Sequence, residues 1–176
     1  MLENDNNIEE FKKSLAATLK SIGKSENIEV NFVNEKPSLN GVVVNLTDPD
    51  ILSLKNNLNY IRAEADSIAL EVRFHVKKIH DKYLSQNETT NKIFKAVEIS
   101  RIEAKGSKMF KGINSNILNK HNVDLLNIEI EKNKEKEIVK AFRYVSYFEL
   151  TENTLDPKFN SYKKIIQKKL GGKYNN

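Results

Sequence analysis

Residues 48–83 read DPDILSLKNNLNYIRAEADSIALEVRFHVKKIHDKY, and the fold turns on this stretch. Asp48-Pro49 suits a helix entry. A short polar side chain accepts orphan amide protons, and the missing proline N–H costs nothing in the first turn. Beyond it Leu54, Leu58, Ile61, Ala65, Ile68, Val72, His75 and Ile79 recur at alternating spacings of four and three, one continuous seam. A second apolar line, Ala63, Leu70 and Phe74, lies further round. Apolar residues on nearly opposite sides predict a central helix over about 49–83, packed between neighbours in a bundle.

Upstream, Phe11, Leu15, Leu19 and Ile22 recur at helical spacing, which predicts a helix over 8–22 ended by Gly23. Two alternating runs follow, about 28–33 and 42–46, joined through Pro37, Asn40 and Gly41, the signature of a small β-hairpin. Downstream, Asn87 to Thr90 forms a polar break. Helices are expected over 91–105, with Gly106 as the stop, over 108–120, over about 131–150, and after Pro157. The fold class is therefore mainly α: a helical bundle around a long central helix, with a small N-terminal β-hairpin. Residues 1–126 read as one helical domain, and 127–176 as a basic helical C-terminal extension packed on it.

A chain of 176 residues, 39% of them hydrophobic, can build one core. Zero cysteines exclude disulfides, thiolate zinc sites and a cysteine nucleophile. No apolar run approaches the roughly 18 residues needed to span a bilayer. MLENDNNIEEFKK lacks the order of a secretory signal, which points to the cytoplasm. Net charge is +5, but only four of the 29 basic residues are arginine: Arg62, Arg73, Arg101 and Arg143. Arginine is the residue of bidentate phosphate and base contacts, so nucleic acid is not the favoured partner. The tail sets Phe159, Tyr162, Ile166 and Leu170 on one side of a helix flanked by lysines. That arrangement suits an anionic membrane surface or an acidic partner, and better still a core cover with solvated lysines outside.

Several charges stand where apolar residues are expected. Arg62 and Asp66 are four apart and can touch, whereas Arg73 lies about 10 Å further along the axis. In the following helix Arg101 interrupts the line Phe94, Val97, Ala104, Glu103 interrupts another, and Glu98 precedes Arg101 by three. Such charges need partners on a neighbouring helix. Asp66 with Arg101, and Arg73 with Glu98 or Glu103, are the expected pairs. They form either a catalytic or ligand-holding network or, as the favoured reading, a buried ion-pair cluster that fixes helix register. His75 and His80 are five apart, about 140° on a regular helix, and cannot clamp one ion there. No catalytic residue and no metal site emerges from these patterns, and no HExxH, EF-hand or Walker A motif is present.

These same residues carry a resemblance. The run Arg62-Ala63-Glu64-Ala65-Asp66-Ser67-Ile68-Ala69-Leu70, with Arg73, His75 and His80, resembles a signature of the CobT-type subunit of aerobic cobaltochelatase. So does Ile93-Phe94-Lys95-Ala96-Val97-Glu98, continuing through Arg101, Glu103-Ala104, Gly106-Ser107, Met109 and Gly112 to Asn116. The similarity spans about residues 10–120. Ala63 stands where the family tends to have glycine, and Val76 where it tends to have aspartate.

The resemblance implies a subunit that works with an AAA+ ATPase subunit and a large chelatase subunit in a hetero-oligomer. That complex inserts Co²⁺ into hydrogenobyrinic acid a,c-diamide during cobalamin biosynthesis. Cobalt and ATP/Mg are handled by the complex, and this chain needs no cofactor of its own. Family members usually continue into a von Willebrand A-like domain with a DxSxS motif, which does not occur in these 176 residues. Arg62, Asp66, Arg73, His75, His80, Glu98, Arg101 and Glu103 are the candidates for a polar cluster or a partner contact. Two alternatives are a chaperone-like partner of an orphan AAA+ ATPase unrelated to cobalt, and a basic nucleic-acid-binding module.

Overall fold

The computed structural model describes residues 2–128 and 134–171. Helix α1 (Leu2–Gly23) leads into strands β1 (Glu29–Val33), β2 (Ser38–Asn40) and β3 (Val43–Thr47). Then come α2 (Ile51–Phe74), α3 (Lys77–Lys82), α4 (Glu88–Met109) and α5 (Lys111–Leu126). Helix α6 (Lys134–Thr151), a 3₁₀ turn (Pro157–Phe159) and α7 (Asn160–Leu170) complete the described chain. The protein is mainly α, as the periodicity predicts. Of the helix expected over about 131–150, residues 131–133 lie outside the described residues.

Helix α2 is the wall between two cores. Its seam residues Ile61, Ala65 and Ile68 pack with Leu15 and Leu19 of α1 and with Val44 and Leu46 of β3. Its second line, Ala63 and Leu70, belongs to a larger cluster with Ile102 of α4, Ile117 of α5 and Val145 and Tyr147 of α6. Burying each such large side chain contributes roughly 1.5–3 kcal/mol, so two apolar faces on one helix bind it from both sides.

The entry and exit of α2 differ from expectation. Asp50, not Asp48, caps the helix: it accepts the Ser53 N–H at 2.6 Å, while Ser53 Oγ accepts the Asp50 N–H at 2.9 Å. Asp48 instead meets Lys12 of α1 at 2.6 Å. The helix does not run to 83. It ends at Phe74; His75 and Val76 are extended, and α3 starts at Lys77. Phe74-His75-Val76 is a run of weak helix formers, and the seam's last member, Ile79, meets no wall and stays 54% exposed.

The expected hairpin is replaced by a three-stranded sheet of order β1-β3-β2. The two alternating runs do pair, but in parallel, with Val30 opposite Val44 and Phe32 opposite Leu46. The connection supplies its own strand, β2, which turns at Gly41 (φ +62°) and pairs antiparallel with β3. β3 is thus central, and its buried residues Val44 and Leu46 share the face turned to the core.

Gly106 does not stop α4; it lies inside, where a Cβ would overlap the side chain of Leu70. Close approach of two helices, rather than a chain reversal, explains this glycine. The break comes instead at Phe110, and α5 begins immediately after it.

Candidate functional site

The crossing of α2 and α4 puts Glu103 at the centre of the larger core, 2% exposed. Ser67 of α2 donates to one carboxylate oxygen at 2.6 Å. The other receives Arg143 Nη2 of α6 at 2.6 Å and His121 Nε2 of α5 at 2.8 Å. Arg143 also donates through Nη1 to Ser100 Oγ at 2.8 Å, and that oxygen lies 2.6 Å from the Arg143 carbonyl. One carboxylate thereby joins four helices.

Burial alone would push the Glu103 carboxyl up. The charge of Arg143 and the hydrogen bonds from Arg143 and His121 overcome it and hold the group well below the usual carboxylate range. Burial pushes His121 down, against the pull of Glu103. The His121 ring lies 4.2 Å from Tyr147 between centroids, and its Nδ1 is buried with no hydrogen-bond partner. A neutral ring donating from Nε2 fits this: Nδ1 then carries a lone pair rather than an unmet N–H.

The eight candidate residues do not converge on one cluster. Asp66 is buried on the other side of α2, where it accepts Asn116 Nδ2 at 2.9 Å. Burial raises its pKa, opposed by Asn116 and by the more distant, exposed Arg62. The expected Asp66–Arg101 pair is absent because the two face different sides of the bundle. Arg73 pairs with neither Glu98 nor Glu103. It donates to the Ile22 carbonyl at the C-terminal end of α1 at 3.1 Å, with its guanidinium near the Phe74 and Phe110 rings. That site suits a cation, since helix C-termini present unpaired carbonyls.

Arg101 points outward and closes a two-pronged pair with Glu98 on its own helix, both contacts at 2.8 Å. Hydrogen bonding to Arg101 chiefly holds the Glu98 carboxyl low, against burial. His75 Nδ1 lies 3.6 Å from Glu98. The break after Phe74 changes the histidine geometry: His75 and His80 come edge to face at 4.9 Å, and His80 stacks on Phe94 at 4.6 Å. Among the described residues no three His, Asp or Glu groups are placed to hold a metal ion.

Two clefts flank this crossing and share Glu71 and Ile99. The larger, about 870 Å³, has Tyr60, Glu64, Ser67, Lys120 and Asp124 on its walls. Asp124 accepts Tyr60 Oη at 2.7 Å and Lys120 Nζ at 2.6 Å, and burial raises the carboxyl of Glu64. The smaller, about 540 Å³, has His75, His80, Lys95 and Glu98.

His121, Arg143, Ser67 and Ser100 are the residues the sequence reading missed. His121 sits four from Ile117 and Leu125, and Arg143 lies among Ala141, Phe142 and Val145. Both interrupt apolar lines as Arg101 does. The same criterion, applied beyond residue 120, marks them.

No described helix is long and apolar enough to cross a membrane. No solved structure matches this one. The profile of a known family, cobalamin biosynthesis protein CobT, matches residues 5–145, well beyond the 10–120 over which the resemblance was legible. The matched span takes in Ser67, Glu103, His121 and Arg143 together, and with them every helix that the buried carboxylate joins. On that match, which covers most of its length, the chain belongs to the CobT family of cobalamin biosynthesis proteins.

Proposed function

We propose that this chain is the helical assembly region of a CobT-type subunit of ATP-dependent cobaltochelatase. In this role it joins a cytoplasmic hetero-oligomer with an AAA+ ATPase subunit and a large chelatase subunit. The ATPase hydrolyses ATP, the large subunit holds hydrogenobyrinic acid a,c-diamide, and cobalt enters the ring as substrate. The present chain positions its partners and forms no bond itself.

The observation that supports this reading is the destination of the signature's charges. Glu103 ties α2, α4, α5 and α6 into one body, Asp66 fastens α5 to α2, and Arg73 fastens α2 to α1. Charges committed to neighbouring helices set a rigid shape, which is what a partner surface requires. Family membership supplies the cobalamin context.

Reconstitution tests it. The full chain is combined with the AAA+ subunit, the large subunit, ATP, Mg²⁺, Co²⁺ and the corrin, and cobalt insertion is followed by the change in corrin absorbance. Insertion is expected with this chain and not without it. Equal rates in its absence would overturn the proposal.

A further inference from the structure

Ten large apolar side chains stand exposed among the described residues, and four of them, Val76, Ile79, Tyr83 and Leu84, fall between positions 76 and 84. Helix α3 occupies this stretch and has no buried residue. A helix of six residues is far below the roughly 12–15 that begin to stand alone in water. Its hold on the rest of the chain is the His80 ring on Phe94, extended by the edge of Tyr83 at 6.4 Å from the same ring. Lys77 is taken up by Asp81 at 2.8 Å. Lys78 and Lys82 make no ion pair among the described residues. The segment therefore presents an apolar ridge with free positive charge, raised beside the 540 Å³ cleft.

We propose that residues 76–84 form the docking element for a partner protein, one presenting an apolar pocket rimmed by carboxylates. Ile79, Tyr83 and Leu84 fill the pocket, and Lys78 and Lys82 meet the rim. Charge complementarity selects the acidic rim. The relief of a ridge beside a concave cleft suits a folded surface rather than a flat bilayer. Two free lysines also fall short of the cluster of about four to eight that anionic lipid holds. The inference rests on the assembly role proposed above and names the surface that performs it.

The test uses the full chain with two double variants, Ile79→Ser/Tyr83→Ser and Lys78→Glu/Lys82→Glu. Because Lys78, Ile79, Lys82 and Tyr83 are all exposed, and His80 on Phe94 is left in place, both should melt as the wild type does, so lost binding is not lost folding. Affinity for the AAA+ subunit and for the large chelatase subunit is measured by sedimentation or calorimetry. Each double variant is expected to weaken binding to one of them by about tenfold or more. Undiminished binding by both variants to a subunit the wild type binds would overturn the docking element and leave the chelatase role standing. Failure of the wild type to bind either subunit would overturn both. Retention of the wild type on phosphatidylserine vesicles at physiological salt would overturn the protein partner in favour of lipid.

Discussion

Replacing Arg143 by alanine should be the most damaging single change to an arginine in this protein. The carboxylate it serves is 2% exposed and bonded at 2.6 Å. Without Arg143, Glu103 keeps Ser67 and a neutral His121 as donors, but no full positive charge. Removing one partner of a buried ion pair costs about 3–5 kcal/mol, most of it the penalty of the stranded charge. Arg101→Ala is the control. The same residue type is removed there from a two-pronged pair, but Arg101 is exposed, so the loss should be about 1 kcal/mol or less. In urea titrations followed by helical circular dichroism, the Arg143→Ala midpoint should fall far below that of Arg101→Ala, with the slopes unchanged. Equal losses in the two variants would refute the assignment of Glu103 as the buried tie and of Arg101 as a surface residue. The double change Glu103→Leu/Arg143→Met should recover much of the loss, because it removes the stranded charge together with its partner.

Two further outcomes follow from the same packing. Gly106→Ala should destabilise by about 1–3 kcal/mol through overpacking against Leu70, although alanine is the better helix former by about 1 kcal/mol. A stabilised variant in thermal denaturation would show that the helices can separate at no cost. Acidification offers the other test. Burial lowers the folded pKa of His121, so the unfolded chain takes up that proton first. The resulting stability is whole above about pH 6.5 and is lost as pH falls below it, at up to about 1.4 kcal/mol per unit. Glu103, also depressed, extends the loss below the usual carboxylate range, about pH 4. His121→Gln should flatten the part of the stability–pH curve between about 6.5 and 5. An unchanged slope there would rule out a buried neutral His121.

The helical character of most of the chain and the two-sided character of α2 are legible because a helix repeats its environment every three to four residues. Leu54 to Val72 on one side, and Ala63 with Leu70 on the other, carry that record. Where a helix ends is less legible. Gly106 looks like a stop and is a contact point, while the true break after Phe74 has neither glycine nor proline to mark it. Strand direction is hidden too. The runs over 28–33 and 42–46 show alternation, but parallel pairing depends on where the intervening Ser38–Asn40 strand inserts.

Sequence by itself determined that charges lie inside this bundle, since Asp66 and Glu103 stand on helices with apolar neighbours on most sides. It could not determine their partners. A helix fixes the spacing of its own side chains, but its rotation against a neighbour is set by how two cores pack at once. That rotation turned Arg101 to the surface, sent Asp66 to Asn116, and brought His121 and Arg143 to Glu103 from segments 18 and about 40 residues away.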